Sequence, residues 1–130
     1  PKEHRLKQSR DFTWVYRYGK KAVSTHLILR AAFVAAAAQP QVGELRFEEQ
    51  ALLPVKVGIA VSQKVSKRAV VRNRIKRQLK AAIKSLLPRL KAGVWIVINV
   101  RPGATQCEYG GFLRELEELL TKLEVINGHS

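Results

Sequence analysis

The sequence has few of the residues from which protein nucleases build metal-dependent active sites. Asp11 is the only aspartate among the 130 residues, and no glutamate occurs between positions 50 and 107. Two-metal phosphodiester chemistry uses clusters of carboxylates, and this distribution offers none. His4, His26 and His129 are scattered, and none has a partner at the sequence spacing of metal ligands. We therefore expect no catalytic residues in this chain and no cofactor bound by the protein alone.

Other absences narrow the class of protein further. Cys107 is the single cysteine, so an internal disulfide is excluded and a zinc site has no second cysteine to build on. No apolar run in the sequence approaches the roughly 20 residues of a membrane-spanning helix, and no signal-peptide pattern is visible. Neither GxGxxG nor GxxxxGKS/T occurs, which excludes the common glycine-rich phosphate loops. These features predict a cytoplasmic protein.

What the sequence has in excess is positive charge. It contains 24 lysines and arginines against 10 acidic residues, a formal net charge of +14. The hydrophobic content of 46% is that of a folded protein. Because the length is typical of one domain, we expect residues 1–130 to form a single domain. A field of this sign concentrates nucleic acid or an anionic membrane surface around the protein.

The positive charge is concentrated between Ser62 and Lys91. This stretch has eleven lysines and arginines and no acidic residue. Apolar residues recur in it at spacings of three and four, which predicts a helix from about Lys67 that Pro88 ends or kinks. The apolar face consists of Val71, Ile75, Leu79, Ala82, Ile83 and Leu86, with Asn73, Arg77, Lys80 and Lys84 opposite and Arg72, Arg74 and Lys76 on the flanks.

A row of basic residues is usually only the solvated face of a helix. Solvated faces normally mix charges of both signs, because like charges at i,i+4 repel each other. In this helix the pairs without an acidic partner are Arg68–Arg72, Arg72–Lys76, Lys76–Lys80 and Lys80–Lys84. This repulsion costs stability unless a polyanion lies against the face. The pattern therefore favours a helix that binds nucleic acid.

The remaining pattern predicts an α+β domain with one small sheet, in the order α-β-β-(β)-α-β-α. A first helix of about ten residues is predicted, with Ser9 as its N-cap and Gly19 as a left-handed C-terminal stop. Strands are predicted at residues 26–34, 55–62 and 94–100, the last apolar on both faces and therefore central. A final helix is predicted at residues 109–125, and residues 35–54 are predicted to form a long loop.

Two aromatic residues, Phe12 and Tyr16, stand one helical turn apart on the predicted first helix. Core packing is the more common explanation of such a pair. Aromatic side chains beside a basic groove also suit single-stranded nucleic acid, because its bases stack on them. The spacing fits both explanations.

Four segments resemble those of one protein family. AVVRNRIKRQ at Ala69–Gln78 resembles the RNR signature of the bacterial ribonuclease P protein component. RLKQSRDFTWVYRYGK at Arg5–Lys20 is similar to the opening helix of that family, and GIAVSQKV at Gly58–Val65 is similar to the strand before its RNR helix. The strand Trp95–Val100, followed by Arg101-Pro102, also fits. The resemblance covers about residues 5–125.

The resemblance implies the accessory subunit of an endoribonuclease that removes the 5′ leader from precursor tRNA, with catalysis by its RNA. The implied partners are that catalytic RNA and the precursor leader, with no membrane or DNA, and Mg²⁺ is required through the RNA. The implied fold is ribonuclease P protein-like, with a left-handed βαβ crossover against the general preference for right-handed ones. The implied contacts to the catalytic RNA are Lys67, Arg68, Arg72, Asn73, Arg74, Lys76, Arg77 and Lys80, and those in a leader-binding cleft between the first helix and the sheet are Phe12, Tyr16, Arg30 and Lys64.

Two residues depart from the family pattern, and other functions stay open. Arg30 stands where relatives often have an aromatic residue, so a phosphate contact would replace base stacking there; Gln63 stands where a second lysine is common. One alternative is a ribosomal or assembly-type RNA-binding protein of similar fold. Another is a DNA-binding module, which calls for a helix-turn-helix or a dimer-forming element that the sequence does not show.

Overall fold

The structure, a computed structural model, describes residues 5–6, 8–34 and 54–127. Within this part of the chain no helix is long and apolar enough to cross a bilayer. The element order is the predicted α+β order, with one strand, β1, whose position the sequence pattern did not give. The elements are α1 (Ser9–Tyr18), β1 (Lys20–Val23), β2 (Leu27–Phe33), β3 (Lys56–Ala60), α2 (Ala69–Leu86), β4 (Val94–Val100) and α3 (Tyr109–Lys122).

The strands form one mixed sheet in the order β1-β2-β4-β3. β2 is antiparallel to both β1 and β4, whereas β3 runs parallel to β4. Parallel neighbours need a crossover connection, and α2 lies in the connection between β3 and β4. The hand of this crossover stays a prediction. The register places Arg30 and Gly58 on either side of Val97, and Ile28 and Ala60 on either side of Asn99.

Of the two hydrophobic cores that the described residues form, the larger lies on the face of the sheet that α2 and α3 cover. Its side chains come from alternate positions of the strands and from the apolar stripes of the two helices, as the period-2 and period-3.6 patterns require. Burying one such side chain contributes about 1.5–3 kcal/mol, so this layer makes the larger hydrophobic contribution among the described residues. Fully buried members include Leu27, Leu29, Ile75, Leu79, Ile96, Ile98, Phe112 and Leu116.

The opposite face of the sheet carries α1 and a second, smaller core. Val15 of α1 and Val97 of β4 are fully buried there, next to Leu6. Because Val97 faces α1 while its neighbours Ile96 and Ile98 face the larger core, β4 is covered on both sides. This confirms the prediction that β4 is a central strand. It also leaves the flanks of α1 as the places where this face of the sheet meets solvent.

The basic helix has the two faces that its sequence predicts. Five of the six predicted apolar residues of α2 are buried, and Val71 at its N-terminal end is half-buried. Asn73, Arg77, Lys80 and Lys84 are exposed, and the three flank residues are half-buried. The helix begins at Ala69, two residues after the predicted start, and Pro88 lies in a short 3₁₀ turn, Leu87–Arg89, that ends it.

Both predicted ends of α1 are wrong in detail. Ser9 is the first helical residue, while Gln8 occupies the N-cap position and makes no side-chain capping bond. Gly19 is extended, with φ −81° and ψ 154°, and is not left-handed. Only glycine fits at this position, because a Cβ there would lie 2.5 Å from the carbonyl oxygen of Val15 and 3.2 Å from that of Ala31. The chain at Gly19 passes too close to the last turn of α1, and also close to β2, for a side chain.

The other predicted elements are correct in type and shift only at their ends. The strands predicted at residues 26–34 and 55–62 are shorter, Leu27–Phe33 and Lys56–Ala60, and that at Val94–Val100 is unchanged. The last helix ends at Lys122, followed by Glu124 at a φ of 59°. Of the predicted loop at residues 35–54, positions 35–53 lie outside the described residues.

Candidate nucleic-acid interface

One continuous surface holds the eight residues predicted to contact a large RNA. Lys67 and Arg68 are exposed in the segment leading into α2, and the other six lie on α2 itself. Two side-chain ion pairs occur among the described residues, His26–Glu115 and Arg89–Glu117, and neither involves this surface. No positive charge of this surface therefore has an acidic partner among the described residues, and Lys67, Arg68, Arg77 and Lys80 face solvent. We call this surface the α2 basic face; it consists of Lys67, Arg68, Arg72, Asn73, Arg74, Lys76, Arg77 and Lys80.

Two arginines of the α2 basic face also hold the fold together. Arg72 Nη1 donates to the carbonyl oxygen of Ser66 over 2.9 Å, which closes the segment before the helix onto its first turn. Arg74 Nη2 donates to the carbonyl oxygen of Thr105 over 2.9 Å, which ties α2 to the turn after β4. Arg77, in contrast, is exposed. The sequence placed Arg72 and Arg74 on the flanks but gave no sign of these bonds.

On the α1 side of the sheet, three side chains form a hydrogen-bonded group. Tyr16 is 42% exposed, and its hydroxyl lies 3.1 Å from Oδ1 and 2.8 Å from Nδ2 of Asn99. Arg30 Nη1 donates to the same Oδ1 over 3.1 Å. The Arg30 guanidinium also lies 4.7 Å from the centre of the Tyr16 ring, within the range of a cation–π contact. The ring is held in place while much of it faces solvent.

Asn99 was not among the predicted site residues, although it is the only polar residue of β4. Strand alternation puts it on the same face as Trp95 and Val97, which is the α1 side. Its amide fixes both Tyr16 and Arg30. The pattern could have assigned the face of Asn99, but its two partners depend on the register between strands.

Phe12 and Lys64 occupy different positions from Tyr16. The Phe12 ring lies directly over Gly58, where a Cβ would be only 2.4 Å from its Cζ atom, and it packs against the smaller core. Packing therefore accounts for most of the Phe12 side chain. Lys64 is exposed in the turn that follows β3, at the end of the sheet where Ala60 pairs with Asn99. Tyr16, Arg30 and Asn99 thus form one group on the α1 side of the sheet, where the cleft was predicted. Phe12 lies one turn earlier on α1, and Lys64 lies in the turn after β3.

A groove of about 600 Å³ lies at the β3 edge of the sheet, between the segment before α1 and α2. Arg5, which bridges Val57 of β3, forms one side together with Leu6 and Phe12. Lys76, Lys80 and Lys84 of α2 form the other side. Four of the described residues that line the groove are basic and none is acidic. The groove therefore connects the α2 basic face with the α1 side of the sheet.

A second aromatic group lies on the other flank of α1 and was also missed. Trp14 contacts Trp95 edge-on at 5.5 Å and Tyr18 at 5.8 Å between ring centres. The Lys56 ammonium lies 5.3 Å from the centre of one Trp95 ring. Trp14 and Tyr18 are four residues apart, so a helical pattern could have paired them. Their contact with Trp95 depends on where α1 docks.

The family match, the similar sequences and the similar structures described below are all ribonuclease P proteins. The family Ribonuclease P matches residues 1–124. The chain is 47% identical over 128 residues to the ribonuclease P protein component of Cyanothece sp., covering 98% of each chain. It is 45% identical over 130 residues to that of Rippkaea orientalis, covering 100% of this chain and 94% of the relative.

A solved structure of the RNase P protein from Staphylococcus aureus has the same fold. It superposes with a TM-score of 0.74 at 22% identity, covering 100% of this chain and 97% of that one. At this identity the structural likeness shows only that the two proteins share a fold. Family membership is shown by the family match and by the relatives at 45–47% identity. The chain belongs to the ribonuclease P protein family.

Proposed function

We propose that this protein is the accessory subunit of the endoribonuclease ribonuclease P, which removes the 5′ leader from precursor tRNA. The observation that carries the proposal is the α2 basic face, which projects positive charge without any acidic partner among the described residues. Such a face gains affinity from the counterions that a nucleic acid releases when lysine and arginine neutralise its phosphates. The family membership selects the RNA and the reaction.

The α2 basic face binds the catalytic RNA. Arg77 and Lys80 are exposed and free to meet phosphates, while the bonds of Arg72 and Arg74 to backbone carbonyls hold their guanidinium groups in place. Asn73 adds an exposed amide, which can bond a base edge or a sugar. Rigid phosphate contacts of this kind set the orientation of the protein on its RNA.

The leader lies in the cleft of Tyr16, Arg30 and Asn99. The half-exposed Tyr16 ring is a stacking surface for one base, worth about 1–3 kcal/mol. Arg30 supplies a positive charge beside it and Lys64 another beyond the cleft. Phe12 contributes to the cleft as a wall that positions α1, since its ring rests on Gly58.

Catalysis in this proposal belongs to the RNA subunit, and Mg²⁺ reaches the reaction through that RNA. The protein helps by offsetting the repulsion between the phosphates of the RNA and those of its substrate. No residue of the α2 basic face or the cleft is acidic, so neither offers the carboxylate pair that two-metal chemistry uses. The role assigns the protein to the cytoplasm.

The test is cleavage of a precursor tRNA by purified components. We expect no cleavage by the protein alone in Mg²⁺, and cleavage at the mature 5′ end once the cognate catalytic RNA is added. At low Mg²⁺ the reaction should depend on both components. Site-specific cleavage by RNA-free protein would contradict the proposal.

Recovery of RNA crosslinked to the protein in cells distinguishes this function from that of a ribosomal or assembly-type RNA-binding protein. One abundant structured RNA together with tRNA precursors is expected. Ribosomal RNA as the main product would instead identify a ribosomal or assembly-type protein of the same fold.

A further inference from the structure

Three residues that are distant in the sequence meet on the side of the sheet covered by α3. His26 immediately precedes β2, Cys107 precedes α3, and Glu115 lies in the middle of α3. An imidazole nitrogen, the thiol sulfur and a carboxylate oxygen all lie within 4.8 Å of one another. Cys107 is buried, and the His26 and Glu115 side chains are 27% and 14% exposed. This cluster lies outside the cleft and the α2 basic face.

The Glu115 carboxylate is held ionised in a fixed orientation. Its Oε1 accepts hydrogen bonds from the Ser24 hydroxyl and, over 2.9 Å, from the backbone N–H of His26. Its Oε2 lies 2.5 Å from His26 Nδ1. Burial opposes ionisation, but the hydrogen bonds from Ser24 and His26 outweigh it and hold the pKa of the Glu115 carboxyl below its ordinary value.

The Cys107 sulfur packs closely against Gly111 of α3. A Cβ at Gly111 would lie 2.8 Å from Sγ, so α3 has room for the sulfur only because this position is glycine. Glycine in a helix costs about 1 kcal/mol relative to alanine, and the contact with Sγ explains why it stands here. Burial raises the pKa of the Cys107 thiol, and the Glu115 carboxylate raises it further. Both effects favour the protonated thiol over the thiolate.

Imidazole, thiolate and carboxylate together are a donor set for a borderline divalent cation. Sulfur and imidazole ligands select zinc over magnesium or calcium, which prefer oxygen alone. Three protein ligands with a fourth position open to water is a common zinc arrangement. We propose that His26, Cys107 and Glu115 form a Zn²⁺ site that joins the start of β2 to α3.

Metal binding in this site releases the thiol proton of Cys107, which passes to solvent as Zn²⁺ takes its place on Sγ. The imidazole binds in its neutral form, with its one proton on Nε2 and Nδ1 free to face the metal. Ser24 stays bonded to Oε1 as an outer partner that orients the carboxylate. The 2.5 Å separation of Nδ1 and Oε2 has to widen, because two ligands at about 2.0–2.2 Å from one zinc ion lie farther apart than that.

The experiment is a Co²⁺ titration of the purified full chain, with Co²⁺ as a spectroscopic substitute for Zn²⁺. We expect a saturable thiolate-to-cobalt charge-transfer band that Zn²⁺ removes and excess Mg²⁺ does not. Cys107→Ser should abolish the band. Ser24→Ala should weaken binding about 10- to 100-fold, as loss of an outer partner does, and His26→Gln or Glu115→Gln should weaken it more.

Controls separate a built site from adventitious binding. His4→Gln and His129→Gln remove the other two histidines of the chain and should leave the titration unchanged. The absence of a band, or a band that persists in both His26→Gln and Glu115→Gln, would overturn the proposal. Circular dichroism without metal checks that each variant folds.

A second measurement does not depend on folding of the cysteine variant. Zn²⁺ should slow alkylation of Cys107 in the wild-type protein and have no such effect in Glu115→Gln. Equal alkylation rates of the wild-type protein with and without Zn²⁺ would also overturn the proposal.

Discussion

At the scale of single residues, the two aromatic positions of α1 have different roles although their spacing is that of one stripe. Phe12 rests on Gly58 and packs in the smaller core, whereas Tyr16 is held by Asn99 and Arg30 and keeps an exposed ring. The core explanation therefore accounts for Phe12. Tyr16 is the better probe of substrate binding.

Tyr16→Ala should reduce the affinity of the assembled enzyme for precursor tRNA by about 1–3 kcal/mol, because a stacking surface for one base is lost. Affinity for mature tRNA, which has no leader, should not change. Tyr18→Ala is the matched control, since Tyr18 is 56% exposed on the other flank of the same helix. The measurement is the affinity of the wild-type and variant enzymes for both tRNAs. An equal change for both ligands would mean that Tyr16 does not contact the leader.

Gly58→Ala should destabilise the protein by about 1–3 kcal/mol, the usual cost of overpacking. A Cβ there would lie 2.4 Å from Phe12 Cζ, so the ring and α1 have to shift. Gly110→Ala is the control, because a Cβ at this helical position meets nothing within 4 Å and should stabilise by up to about 1 kcal/mol. Urea unfolding of the two variants measures the difference; equal stabilities would show that Phe12 moves away freely.

At the scale of elements, α2 serves both the core and the RNA surface. Its apolar stripe is buried under the sheet and its opposite face carries the unpartnered charges. Helices of this kind can lose surface charge without losing core, but only where the charged group makes no structural bond. The bonds of Arg72 and Arg74 to backbone carbonyls divide the face into two classes.

Arg77→Ala should weaken binding to the catalytic RNA and leave the melting temperature nearly unchanged, because Arg77 is exposed. Arg74→Ala should weaken RNA binding and also cost about 1.5–3 kcal/mol of folding stability, since a hydrogen bond from a charged group is lost. Arg72→Ala should have the same two effects as Arg74→Ala, because Arg72 Nη1 makes a bond of the same kind to a backbone carbonyl. Lys122→Ala, an exposed cation on α3, should change neither. Thermal melts and RNA binding of all four variants test this; a lowered melting temperature in Arg77→Ala with unchanged RNA affinity would contradict it.

At the scale of the whole molecule, the two helices that cover the larger core differ in charge, with basic residues concentrated on α2 and acidic residues on α3. Half of the ten acidic residues lie beyond position 107, on α3 and its flanking residues, while α2 has none. Eleven of the 24 lysines and arginines lie between Ser62 and Lys91, so the positive charge is densest around α2. Electrostatic attraction to RNA should depend on where a charge is added and only weakly on the total.

Gln63→Lys should strengthen binding of the assembled enzyme to precursor tRNA, because Gln63 is exposed beside Lys64 in the turn after β3. The slope of log affinity against log salt should steepen by about 0.7, the value for one additional contact to a single strand. Thr121→Lys adds the same charge to the exposed side of α3 and should leave affinity and slope nearly unchanged. An equal effect of both variants in salt titrations would show that only net charge matters.

The sequence by itself determined the features that repeat over short distances. The period of α2 assigned its buried and exposed faces, and the doubly apolar run of Val94–Val100 identified a central strand, because side-chain direction within an element follows from local geometry. The RNR segment and its flanking strands indicated the family because each of these motifs is a continuous stretch of the sequence.

Only the tertiary structure decided which distant residues meet. Asn99 bonds both Tyr16 and Arg30 because the strand order puts β4 beside β2 and α1 packs on both strands. His26, Cys107 and Glu115 approach one another because α3 packs against the start of β2, so a search for ligands at short sequence spacing could not find them. Strand register and helix docking are set by the fit of whole faces, and no spacing within one element contains that information.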